Sequence, residues 1–124
     1  MKNRKAAVKR KTRETDVKLA INLDGKGVAN ARTGIGIFDH MLELFARHSH
    51  VDLDITAKGD LQVDAHHTVE DIGICLGDGI RKALGRKEGI TRYGFCNLPM
   101  DEALASVAID LSGRPYLRYD VKLG

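Results

Sequence analysis

Proline occurs only twice in this chain and cysteine twice, and aromatic residues make up 5% of it. So little proline beside 43% hydrophobic residues excludes a disordered chain. Also missing is any run near the roughly 20 apolar residues needed to cross a bilayer. No signal-peptide pattern opens the chain, so a soluble, cytoplasmic protein is expected. Cys75 and Cys96 stand 21 positions apart and form no CxxC pair. That spacing suits two lone thiols in a reducing compartment better than a disulfide framework. At 124 residues the chain is long enough for one modest core.

Acid is absent from residues 1–13, which carry seven basic side chains: Lys2, Arg4, Lys5, Lys9, Arg10, Lys11 and Arg13. The rest holds 13 basic and 17 acidic groups, so the net charge of +3 hides a basic arm on an acidic body. Such an arm raises a nucleic-acid tether. No aromatic interleaves its basic residues, however, as single-strand stacking requires. A solvated first strand is the favoured reading, with no nucleic-acid partner and no membrane partner expected.

What the chain does contain is a repeat. Glu14–Ala31 (ETDVKLAINLDGKGVANA) matches Glu102–Tyr119 (EALASVAIDLSGRPYLRY) at an offset of 88 without gaps. Val17, Leu19, Ile21 and Leu23 alternate, as do Ala105, Val107, Ile109 and Leu111. This is the period of a half-buried strand, and each copy ends at a glycine-containing turn. Between the copies, Val28–Thr33 reads as a returning strand. Ile37–His48 reads as a helix with Phe38, Met41, Leu42 and Phe45 on one stripe. Val51–Ala57 and Leu61–Val63 alternate about a Lys58-Gly59-Asp60 turn and predict a hairpin. A second helix spans His66 to Leu84, with Val69, Ile72, Leu76, Ile80 and Ala83 inward, ending at Gly85 or Gly89. The expected fold is α+β: a duplicated β-β-α-β-β-α unit with helices on one face of a mixed sheet. Residues 1–92 would form the first repeat. Residues 93–124 would begin the second, which is truncated after two strands, Ala105–Leu111 and Tyr116–Lys122.

The densest set of ligand-type side chains is DAHHTVED, Asp64 to Asp71. At about 100° per residue, Glu70 falls between His66 and His67, and all three lie away from the apolar stripe. Imidazoles with a carboxylate suit a borderline divalent cation: Mn, Fe, Co, Ni or Zn. Adjacent histidines diverging by about 100° suggest two ions, or one ion and one substrate contact. The competing reading is a polar helix start capped by Asp64. His40 lies off the apolar stripe of the first helix, beside Asp39, which could orient it. His48 and His50 are open to either a functional or a solvated role. Gly34-Ile35-Gly36 reads as a strand-to-helix turn rather than a phosphate loop. Arg92 and Arg114, taken alone, read as exposed charges in turns.

Together, ETDVKLAINLDG, FDHMLELFARH, DAHHTVEDIGICLG and MDEALASVAIDLSGRPYL resemble, in order and spacing, the blocks of the imidazoleglycerol-phosphate dehydratase family. The resemblance covers essentially the whole chain. It implies a lyase of L-histidine biosynthesis that converts D-erythro-imidazole glycerol phosphate to imidazole acetol phosphate plus water. It also implies two manganese ions (Mn2+) per active site and a homo-oligomeric shell of 24 subunits with sites at subunit contacts. Carried over by position, His40, His66, His67 and Glu70 match metal ligands. Glu14, His40, His48, His66, His67 and Glu70 match substrate-contacting positions, and Arg92 and Arg114 match arginines that hold the substrate near its phosphate. Glu14 and Glu70 are the catalytic candidates, Glu14 as the carboxylate that shuttles a proton at carbon. The family carries a second His-rich set, whose counterparts here would fall near 128, 154, 155 and 158. These 124 residues are therefore expected to hold half the ligands and to be inactive alone. The alternatives are a non-catalytic metal-binding module and a nucleic-acid-binding domain driven by the basic arm.

Overall fold

The computed structural model describes residues 3–122, which fall into two units, the first running to Arg86 and the second starting at Lys87. In chain order the first unit holds β1 (Lys5–Lys11), β2 (Thr15–Asn22), β3 (Ala29–Arg32), α1 (Gly36–Ser49), β4 (Asp52–Gly59) and α2 (His66–Leu84). The sheet order is β1-β2-β4-β3. β2 runs antiparallel to β1 and β4, while β3 and β4 are parallel. A mixed sheet with helices on one face is the expected α+β architecture.

Alternation along the strands explains that face. In β2, Val17, Leu19 and Ile21 are buried, and the register sets them opposite Ala57, Ile55 and Leu53 of β4. Val8 continues the layer on β1. Onto this layer pack Leu42 and Ala46 from α1 and Ile72, Cys75 and Ala83 from α2. α2 lies over β1 and β2, and α1 lies over β3 and β4. Gly79 permits the close approach of α2, because a Cβ there would come within 3.0 Å of Leu19 Cδ2.

The basic arm is an ordinary edge strand, with lysines on the outward positions of an otherwise open sheet edge. Two of its arginines are held within the unit. Arg4 forms bonds of 2.8–3.2 Å to Asp24, and Arg10 donates to Asp71 at 2.9 Å.

Three expectations need correction. The first unit runs β-β-β-α-β-α, since Leu61–Val63 is not a strand. β4 already has β2 and β3 on its two edges, and the Val63 N–H closes a turn onto the Asp60 carbonyl at 2.8 Å. On the helices, the predicted stripes hold at Leu42, Ile72 and Ala83, with Phe38, Leu76 and Ile80 packed against the core. Met41, Phe45 and Val69, however, are 46%, 37% and 38% exposed, while Ala46 and Cys75 are fully buried. Finally, Tyr116–Lys122 is not a strand. Its counterpart β3 pairs only with β4, and among the described residues from Lys87 onward no equivalent of β4 exists.

The second unit is a hairpin of β5 (Tyr93–Met100) and β6 (Ala103–Asp110). The repeat is fuller than the sequence match shows. Shifting β1 and β2 by 88 lands them on β5 and β6 in the same register: Lys5↔Asn22 becomes Tyr93↔Asp110. Even the bond closing the strand pair recurs. The Leu23 N–H donates to the Arg4 carbonyl in one copy, and the Leu111 N–H donates to the Arg92 carbonyl in the other. The chain is a duplicated unit whose second copy shows its first two strands.

Candidate metal and substrate site

The first unit brings its chemistry to one end of the sheet. Thr15 pairs with Gly59, so Glu14, in the β1–β2 turn, and Asp60, just past β4, flank the same sheet end. α2 starts here, and Gly59 is what lets it come close. A Cβ at position 59 would overlap the Thr68 hydroxyl. α1 starts at this end as well, since it follows β3, which runs parallel to β4. A Cβ at Gly34, in the loop before α1, would lie 2.8 Å from Leu61 in the loop before α2.

Just before α2, whose N-cap Ala65 carries no side-chain cap, Asp64 accepts the His66 N–H at 2.8 Å. The expected Asp64 cap is thus replaced by a bond to a backbone N–H in the turn before the helix, and neither imidazole is engaged by it. His66 Nε2 stands 3.3 Å from a Glu70 carboxylate oxygen, one helical turn on. His67 points elsewhere, its ring edge-on to that of His66 with centroids 5.4 Å apart. Its Nδ1 meets Asp60 Oδ2 at 2.8 Å. That hydrogen bond raises the His67 pKa above the ordinary imidazole range, against some desolvation, with Glu14 and Asp64 adding attraction. Glu14 itself is steadied by Thr12, whose hydroxyl donates to its carboxylate at 3.2 Å and accepts its N–H at 3.1 Å.

Beneath these groups, the half-exposed Arg10 and the Thr15 hydroxyl both bind Asp71, which is 6% exposed. They hold its carboxyl below the usual carboxylate range, the Thr15 bond first and Arg10 after it. The second turn of α2 is thereby tied to β1 and β2.

His40 sits near the start of α1, at the same sheet end, but no hydrogen bond or ion pair joins it to His66, His67 or Glu70. Asp39 does not orient it. Asp39 Oδ1 accepts from the Thr33 N–H at 2.9 Å and the Thr33 hydroxyl at 2.6 Å, fixing the loop into α1. His48 lies in the last turn of α1, about 12 Å along the axis from His40, and His50 closes the helix in a left-handed conformation with φ of 61°. Among the described residues no three His, Cys, Asp or Glu groups converge on one point. The donor chemistry nonetheless fits a borderline divalent ion. His66 with Glu70 makes one two-donor arm, and the outer nitrogen of His67 makes a separate one-donor arm.

In the second unit, the Arg92 guanidinium binds Asp110 at 2.6 and 3.1 Å and stacks 4.9 Å over Tyr93. Arg114 follows a turn in which its N–H donates to Ser112 Oγ at 3.0 Å, and its charge reaches Asp110. Of the two arginines, Arg92 alone is bound to that carboxylate. Sequence reading missed Asp60, which looked like a turn residue. Only its position, at the close of an alternating strand and seven residues before a ligand-type histidine, hinted at more.

The imidazoleglycerol-phosphate dehydratase family model matches residues 33–124. The chain belongs to the imidazoleglycerol-phosphate dehydratase family. The protein of that name from Acetivibrio thermocellus is 62% identical over 121 residues, covering 98% of this chain and 62% of the relative. The one from Nitrobacter hamburgensis is 57% identical, covering 96% and 60%. The Staphylococcus aureus imidazoleglycerol-phosphate dehydratase crystal structure superposes with a TM-score of 0.83 at 38% identity, covering 97% of this chain and 65% of that one. The Pyrococcus furiosus enzyme in complex with (S)-C348 gives 0.78 at 41%, covering 94% and 61%. The chain thus spans about three-fifths of the length of these curated relatives.

Proposed function

We propose that this chain contributes to the dehydration of D-erythro-imidazole glycerol phosphate to imidazole acetol phosphate, a step of L-histidine biosynthesis. The observation that supports it most is the sheet end where Glu14, Asp60, His66, His67 and Glu70 gather in a member of this dehydratase family. The reaction removes a proton from a carbon beside a neutral imidazole, with no carbonyl to take up the charge. A pair of divalent ions, manganese in this reading, supplies the missing Lewis acidity. His66 with Glu70 would hold one ion and His67 the other, with His40 completing the first-repeat set.

The residues of this chain do the rest. Glu14, propped by Thr12, sits in range of His67 and serves as the proton-shuttling carboxylate. Glu70 stands 3.3 Å from His66 Nε2, placed to share an ion with it. Arg92 and Arg114 hold the substrate phosphate, since a planar guanidinium meets two phosphate oxygens at once. His48 falls too far along α1 to join the first-unit cluster, so it would meet substrate in a neighbouring subunit of a homo-oligomer, the 24-subunit shell of the resemblance. Because each arm offers fewer than three donors, the site needs further ligands from beyond these residues.

The test is a dehydration assay with manganese, alongside metal analysis, on the chain alone and on a protein of the relatives' full length. Full-length protein should turn over the substrate. His66→Ala or His67→Ala in it should abolish turnover and lower bound manganese while leaving the fold intact. Normal metal content in both variants would refute the ligand assignment. The 124-residue chain should bind manganese weakly and show no appreciable turnover.

A further inference from the structure

We propose that Asp60 is a positioning residue that presents Nε2 of His67 to a divalent cation. The inference rests on the reading of His67 as a metal ligand and adds the group that aims it. Asp60 follows β4 directly, so its backbone is anchored by the sheet, and its side chain is 13% exposed. Its Oδ2 lies 2.8 Å from His67 Nδ1. An ionised carboxylate can only accept, so Nδ1 must carry the proton, and the ring's lone pair is then left on Nε2. A rigid acceptor on the inner nitrogen thus fixes both the tautomer and the rotation of the ring.

A second observation points the same way. Asp60 Oδ1 is buried with no hydrogen-bond partner among the described residues. A half-satisfied buried carboxylate is costly. Positive charge on the far side of the imidazole it grips offsets that cost. Histidine ligands whose second nitrogen meets a carboxylate behave in this way, and losing the carboxylate weakens metal binding about 10–100-fold.

Long-range 15N correlation spectra of the metal-free 124-residue chain should show His67 as the Nδ1–H tautomer at alkaline pH. Titration of Mn2+ alone, followed by electron paramagnetic resonance, should show affinity about 10–100-fold weaker in Asp60→Ala and Asp60→Asn. Their tautomer signals should become mixed, and their urea midpoints should stay near that of the parent. His67→Ala separates the two readings. Unchanged manganese affinity in His67→Ala overturns the ligand reading and the proposal with it. Weakened affinity in His67→Ala, with unchanged affinity and tautomer in both Asp60 variants, overturns the proposal alone. If Asp60→Ala does not fold, Asp60→Asn, which keeps size and shape, decides.

Discussion

Asp71 shows how one side chain serves both stability and the site. It is buried, bound by the Thr15 hydroxyl and by Arg10, and adjacent in sequence to Glu70. Replacing it with Asn leaves Arg10 without its counter-charge, and stability should fall by about 1–3 kcal/mol at neutral pH. The sign of the pH dependence follows from its lowered pKa. A carboxyl depressed on folding adds stability that is fully present above the unfolded value, near pH 4, and is lost as pH falls through the folded one. Urea denaturation of parent and Asp71→Asn should therefore differ by a constant amount above about pH 5 and converge below about pH 4. A gap that persists in acid contradicts the assignment. Residue by residue, the ligand-type groups were legible because histidine and carboxylate chemistry shows in type and spacing. Asp60 was not, because its partner lies across a turn and only the fold sets the distance.

At the scale of elements, α2 (His66–Leu84) was readable in type and approximate extent, since its apolar period is regular, and the structure chooses Gly85 over Gly89 as its end. The inward line was read correctly at Ile72 and Ala83, with Leu76 and Ile80 packed against the core, but it missed its smaller members. Thr68, Cys75 and Gly79 face the sheet, whereas Val69 carries the larger apolar side chain yet is 38% exposed. Close packing against β1 and β2 selects small residues for that line, and hydrophobicity alone does not reveal it. β1 was legible as the solvated strand of the basic arm, whereas β5 was hidden by its lack of clear alternation. The same closeness makes the junction between β4 and α2 sensitive. Gly59→Ala should destabilise the first unit by about 1–3 kcal/mol, because the new methyl meets the stiff Thr68 side chain. Thr68→Ala removes a buried hydroxyl that has no partner, so it should cost little by itself and recover much of the loss when combined with Gly59→Ala. Strictly additive changes in a double-mutant cycle would show that these two residues do not meet.

For the molecule as a whole, cohesion is uneven. The first unit has a sheet and two helices around one core, whereas the second is a two-stranded hairpin, which is marginal when judged by itself. Hydrogen exchange should find slow amides in β2, β4 and α2 and fast ones in β5 and β6. Equal protection in both units would mean that the hairpin is covered. The matching strand registers also bear on descent. A gene that doubles inherits two of every part, and each spare is free to drift. Arg4 and Arg92 are sister positions, as are Asp24 and Ser112. In the first copy, a carboxylate in the turn, Asp24, grips Arg4 through its main chain and its side chain. With serine at 112, Arg92 takes its grip from Asp110, two residues back. The two copies differ at both positions, Asn22 against Asp110 and Asp24 against Ser112, so each of the twin arginines is riveted by a different carboxylate, a divergence that neither copy alone would reveal.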